Sequence, residues 1–150
     1  MRKFKNIMVL MGKSNSGKTN TLQVLINKLI IIGFVEIERN KTRKRKRKDS
    51  LVLLKNKGKY VLIFTGGDSK KMLQEAIKEA EEVYPNHINK CNTFVCACHI
   101  GNSSNFLCKM ATRKIVFYVN KYIVNENNKK KLNLKYNKQA KEILADINRI

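Results

Sequence analysis

The sequence contains no tryptophan and a single proline, Pro85, which leaves no room for a proline-rich linker or recognition segment. Only seven of the 150 residues are glycine, and 43% are apolar, so the composition is that of a folded globular chain. Long apolar runs are missing as well. The longest, Leu29 to Val35, is interrupted by Gly33 and falls far short of the roughly 20 residues of a membrane span. The start, "MRKFKNIMVLMGK", superficially resembles a secretion signal, but its apolar run from Ile7 to Met11 is shorter than the roughly 7–15 residues such a signal needs. It reads as a strand, and the expected location is cytoplasmic. At this length one domain spanning 1–150 is expected.

Acidic residues are also scarce. Eleven Asp and Glu face 32 Lys and Arg, a net charge of +21 and a pI near 10.1. Such an excess favours an acidic partner: nucleic acid, an anionic surface or a phosphate-rich ligand. The abundance of Lys, Asn and Ile is equally what an A/T-rich coding sequence produces, and charge alone does not separate the two. Four cysteines, Cys91, Cys96, Cys98 and Cys108, cluster near His87 and His99 without the CxxC spacing of a zinc site. Cys96 and Cys98 alternate onto one face of an apolar strand, where reduced, buried thiols are expected.

What is present is a patterned chain. Ile7 to Met11 reads as a central strand covered on both faces. Leu22, Leu25, Ile26, Leu29 and Ile32 follow at helical spacing, with Gly33 suited to the helix end. Phe34 to Ile37 is a short strand candidate. "RNKTRKRKRK", Arg39 to Lys48, has eight basic residues in ten and is expected to form a mobile, solvated loop over 39–50. Leu51 to Leu54 and Tyr60 to Phe64 bracket a hairpin turn at Gly58. "TGGDS" leads into an amphipathic helix with Met72, Leu73, Ala76, Ile77, Ala80 and Val83 on one stripe, ending before Pro85. Thr93 to Cys98 and Ile115 to Val119 read as strands, Phe106 to Thr112 as a short helix, and about 136–149 as a final helix with Ala140, Ile143, Leu144 and Ile147 inward. Alternating strands and helices indicate an α/β fold with a mainly parallel sheet and one antiparallel hairpin.

The most specific signal is "GKSNSGKT". Gly12, Gly17, Lys18 and Thr19 fill each fixed position of G-x-x-x-x-G-K-[ST], with an apolar strand before and an amphipathic helix after. Binding a phosphate requires several amide N–H groups aimed at one anion, which glycines and a helix N-terminus permit. On this Walker A motif the chain resembles the P-loop NTPase superfamily. The resemblance implies a three-layer sandwich and a bound nucleoside triphosphate with Mg²⁺. It implies a phosphate cradle formed by Gly12, Asn15, Ser16, Gly17, Lys18 and Thr19, with Lys18 on the β- and γ-phosphates and Thr19 on the metal.

A carboxylate for the metal is less evident. Asp68 is the best candidate, although Thr65, Gly66 and Gly67 separate it from the apolar run; alternatively, Asp68 or Ser69 caps the next helix. Glu36 and Glu38 are further candidates. Arg113 is a candidate for stabilising transition-state charge. The order of elements also looks like that of small GTPases. However, "TGGD" stands where D-x-x-G is usual, and the guanine-reading N-K-x-D is matched only at Asn120 and Lys121, with Ile123 in place of the acid. ATP is therefore expected over GTP. Four functions remain open: an ATPase or ATP-driven switch, a kinase acting on a small or nucleotide acceptor, a small GTPase-like protein, and a nucleic-acid-associated module. In the last, Arg39 to Lys48 would contact phosphates.

Overall fold

The structure is a computed structural model that describes residues 2–12, 17–40, 49–67, 69–99, 107, 109, 111–118 and 129–150. Its frame is a six-stranded sheet of β1 (Phe4–Gly12), β2 (Val35–Glu36), β3 (Leu51–Asn56), β4 (Lys59–Phe64), β5 (Thr93–His99) and β6 (Ala111–Tyr118). Three long helices accompany it: α1 (Lys18–Ile31), α2 (Lys70–Val83) and α3 (Lys129–Arg149). The strand order is β2-β3-β4-β5-β1-β6. β1 runs parallel to both neighbours, β5 and β6, and β5 runs parallel to β4.

Alternation along β1 explains why helices cover both faces. Ile7, Val9 and Met11 point into a core shared with Leu73, Ala76, Ile77, Ala80 and Val83 of α2. Met8 and Leu10 point the other way, into a core with Leu22, Leu25 and Leu29 of α1 and Ala140, Ile143 and Ile147 of α3. Burial of both faces requires the uninterrupted apolar run seen in the sequence. Cys96 and Cys98 fall together in the α2-side core, as their alternation predicts.

Local signals placed the element ends well. α1 closes with Gly33 at φ 112°; the Gly33 N–H donates to Ile30 O and the Phe34 N–H to Leu29 O, the paired bonds of a Schellman motif. Buried Leu29 and Phe34 supply its apolar contact. The β3–β4 hairpin turns on Lys57 and Gly58, both at positive φ, between paired Asn56 and Lys59. That backbone matches the twist of the strands it joins. Ser69 begins α2, its hydroxyl accepting from the Met72 N–H at 3.2 Å. The cap is thus Ser69 rather than Asp68, which lies outside the described residues.

Several boundaries differ from expectation. Val35 pairs with Lys55, so a second antiparallel pair joins the expected hairpin. The last helix starts at Lys129, earlier than about 136. β6 begins at Ala111, which removes Ala111 and Thr112 from the expected short helix. The basic run is also held where it starts. Arg39 forms an ion pair with Glu79 of α2, and the Asn40 N–H donates to Val83 O.

Candidate functional site

In a parallel sheet the strand ends and the following helix N-termini gather on one edge, and here that edge collects the distinctive polar groups. β1 ends at Gly12, whose register partner on β5 is His99. Gly17 sits at φ 90° and ψ 16°, the left-handed region, immediately before α1. Lys18, the first residue of that helix, is only 6% exposed, and its Nζ donates to Gly12 O at 2.7 Å. The ammonium therefore lies back across the mouth of the turn. Lys13, Ser14, Asn15 and Ser16 lie outside the described residues, as do Asn120, Lys121 and Ile123.

A helix N-terminus carries partial positive charge and normally attracts acidic side chains. α1 has none in its first turn and instead buries a lysine there. Burying an ammonium is costly unless it is well partnered, and placing it at the positive end of a helix adds repulsion. Lys18 meets part of that cost through its bond to Gly12 O, and a helix N-terminus with an ammonium beside it suits an anion.

The site extends across the sheet edge to β4. Because β5 lies between β1 and β4, their ends are about 10 Å apart. Helix α1 bridges that gap: Thr19, which is exposed, donates its hydroxyl to Thr65 O at 3.3 Å. Thr65 is held in turn by the strand entering the hairpin. Its N–H donates to Ser50 O, and its hydroxyl accepts from the Ser50 N–H at 2.8 Å. Gln23 of α1 donates to the Ser50 hydroxyl at 2.9 Å. Beyond Thr65, a Cβ on Gly66 would lie 2.7 Å from Asp49 Oδ2, so this glycine leaves room for a carboxylate. A Cβ on Gly67, at φ 133°, would run into the Ala97 carbonyl of β5. "TGG" is thus the segment that lets the chain leave β4 and press against β5, where the Ala97 N–H donates to Gly66 O.

On the outer side, α3 contributes Tyr136. A Cβ on Gly17 would lie 2.5 Å from its Cε1, and Asn20 Nδ2 approaches its hydroxyl at 3.4 Å.

Of the expected site residues, Gly12, Gly17, Lys18 and Thr19 come together, while Asn15, Ser16 and Asp68 lie outside the described residues. Arg113 does not join them. It pairs with Asn6, six residues before Gly12 along β1, and so sits roughly 20 Å down the sheet from the turn. The basis for its expected role, a position in a connection, fails because β6 starts earlier. Glu36 lies on the edge strand β2, three strands beyond β5 in the sheet order. Asp49, Thr65, His99 and Tyr136 were not singled out. A signal for Asp49 did exist: a hairpin centred on Lys57 and Gly58 places the residues before β3 opposite those after β4.

The oxygen groups at the β4 end, the Thr19 hydroxyl, the Thr65 carbonyl and the Asp49 carboxylate, are of the hard type that suits Mg²⁺. The thiols are a poor match for reactive chemistry. Burial drives Cys96 well above the usual thiol range and Cys91 up to about 11, so both stay protonated near neutrality. Among the described residues, no helix is long and apolar enough to cross a membrane. No protein-family model, curated protein or solved structure matches the chain.

Proposed function

We propose that the protein binds a nucleoside triphosphate with Mg²⁺ at the turn from Gly12 to Thr19, as a P-loop NTPase-like three-layer sandwich acting as an ATPase or ATP-driven switch. One observation carries this reading: a buried lysine occupies the first turn of a helix that has no acid there, inside a complete Walker A sequence between a central strand and that helix. The positive end of a helix and a lysine ammonium beside it both favour an anion in front of the turn.

In this reading Lys18 leaves the Gly12 carbonyl for the β- and γ-phosphates, and Gly17 supplies the close backbone approach. Thr19 turns its hydroxyl oxygen toward the cation. Mg²⁺ would neutralise phosphate charge when bound. ATP is favoured over GTP because Ile123 stands where a guanine-reading site needs a carboxylate.

Calorimetric titration of ATP and of GTP with Mg²⁺, using the wild type and Lys18→Ala, tests it. Saturable ATP binding is expected, weakened at least about tenfold by the substitution, since a charge-assisted contact is worth roughly 1.5–3 kcal/mol. ADP and phosphate should be the sole products of turnover. A wild-type protein that binds neither nucleotide refutes the proposal.

A further inference from the structure

Asp49 is an anomaly in so basic a chain. With 32 Lys and Arg against 11 Asp and Glu, a carboxylate has cations in abundance. Glu81, Glu79 and Asp146 each have one, in Arg2, Arg39 and Arg149. Asp49 is half-buried and makes no ion pair or hydrogen bond with another described residue. Its carboxylate instead lies over Gly66, which has no side chain to displace it.

Its position is fixed from two directions. The Thr65 N–H and hydroxyl both bond the Ser50 backbone, locking the residue after Asp49 to the end of β4, and Gln23 ties Ser50 to α1. Thr19, one residue past the Walker lysine, reaches the same place through Thr65 O. The Thr19 hydroxyl touches the Thr65 carbonyl, and the Asp49 carboxylate lies over the next residue, Gly66, at the end of β4.

We propose that Asp49, rather than a residue following β4, is the carboxylate that holds the divalent cation of the bound triphosphate together with Thr19, directly or through its water. This rests on the nucleotide-binding reading and assigns the metal-binding acid within it. A single carboxylate with a hydroxyl and waters is the kind of set Mg²⁺ accepts, because it keeps much of its hydration and takes its remaining ligands from phosphates. The metal would give the carboxylate of Asp49 a cationic partner.

The test measures ATP affinity by calorimetry with MgCl₂ and again with EDTA, for the wild type, Asp49→Asn and Asp68→Asn. Mn²⁺ binding in the presence of ATP is followed by EPR as a readout independent of turnover, and thermal melts confirm that each variant folds. The wild type should bind ATP more tightly with Mg²⁺. Asp49→Asn should lose about 10–100-fold of that gain and of Mn²⁺ affinity, while its ATP affinity in EDTA is unchanged or improved. An Asp49→Asn protein that keeps the full Mg²⁺ gain overturns the assignment and leaves nucleotide binding intact. So does loss of the gain in Asp68→Asn alone. A wild type that binds no ATP overturns both proposals.

Discussion

Replacing Gly67 with alanine should destabilise the protein far more than the same change at Gly58. Both glycines have positive φ, 133° and 80°, so each new side chain meets backbone strain. At Gly58 the added Cβ finds nothing within 4 Å, and the cost is the left-handed penalty alone, about 1–2 kcal/mol. At Gly67 the φ lies in a region that side chains rarely adopt, costing about 1–3 kcal/mol. There the Cβ also meets the Ala97 carbonyl, a backbone atom that cannot rotate away. Relieving that contact requires β5 and the segment after β4 to separate, endangering the 3.2 Å bond from the Ala97 N–H to Gly66 O. Both residues are buried, so an unmade bond there costs a further ~1–3 kcal/mol. The sum at Gly67 is roughly 2–6 kcal/mol, a large part of the 5–15 kcal/mol that holds a typical domain together. Urea unfolding followed by far-UV circular dichroism is the suitable assay, since no tryptophan is available as a probe. With a slope of about 2 kcal/mol/M, Gly67→Ala should lower the midpoint by around 2 M and Gly58→Ala by less than about 1 M. If the two midpoints agree within about 0.5 M, the close approach of Gly67 to β5 is not a real constraint.

Gly17→Ala and Tyr136→Ala should be coupled in a double-mutant cycle, because the strain at φ 90° persists without the ring while the 2.5 Å approach to it disappears. A coupling near 1 kcal/mol in thermal or urea unfolding is expected, and strict additivity would contradict the packing of α3 on the turn. Stability should fall as pH rises from about 9 to about 11: the Cys91 thiol is pushed by burial from 9.0 to about 11, so over that window the unfolded chain releases a proton that the folded chain keeps. The loss is at most about 3 kcal/mol, and Cys91→Ala should show a flatter pH profile than the wild type. Neither Cys91 nor Cys96 should react with a thiol reagent at neutral pH until the protein is unfolded.

The sequence made local events legible. The Lys57–Gly58 turn, the Gly33 helix stop, the Ser69 start and the apolar stripe of α2 are each encoded within a few neighbouring residues, and each was found where its chemistry placed it. Strand order was not legible, because β5 reaches β1 and β4 through long connections that leave no turn signal. Arg113 was misjudged for a related reason: with Lys114 it reads as a polar connection between a short helix and a strand, yet both pair with β1 in its lower half. The two glycines after Thr65 read as a spacer that weakened the Asp68 match. Their reason is tertiary, one making room for Asp49 and the other for the β5 backbone. The Gly12-to-Thr19 motif is legible from its own spacing, while Asp49 could be found only by projecting the hairpin register past the ends of its strands.

The ion pair from Glu79 to Arg39 gives α2 a mechanical role as well as a packing one. The helix starts three residues from the Gly67 contact and carries, near its far end, the anchors of the strongly cationic stretch at Arg39 and Asn40. It is a stiff rod about 20 Å long. Through these two anchors the start of the basic run at Arg39 and Asn40 is tied to a helix whose other end follows the Gly67–Ala97 contact.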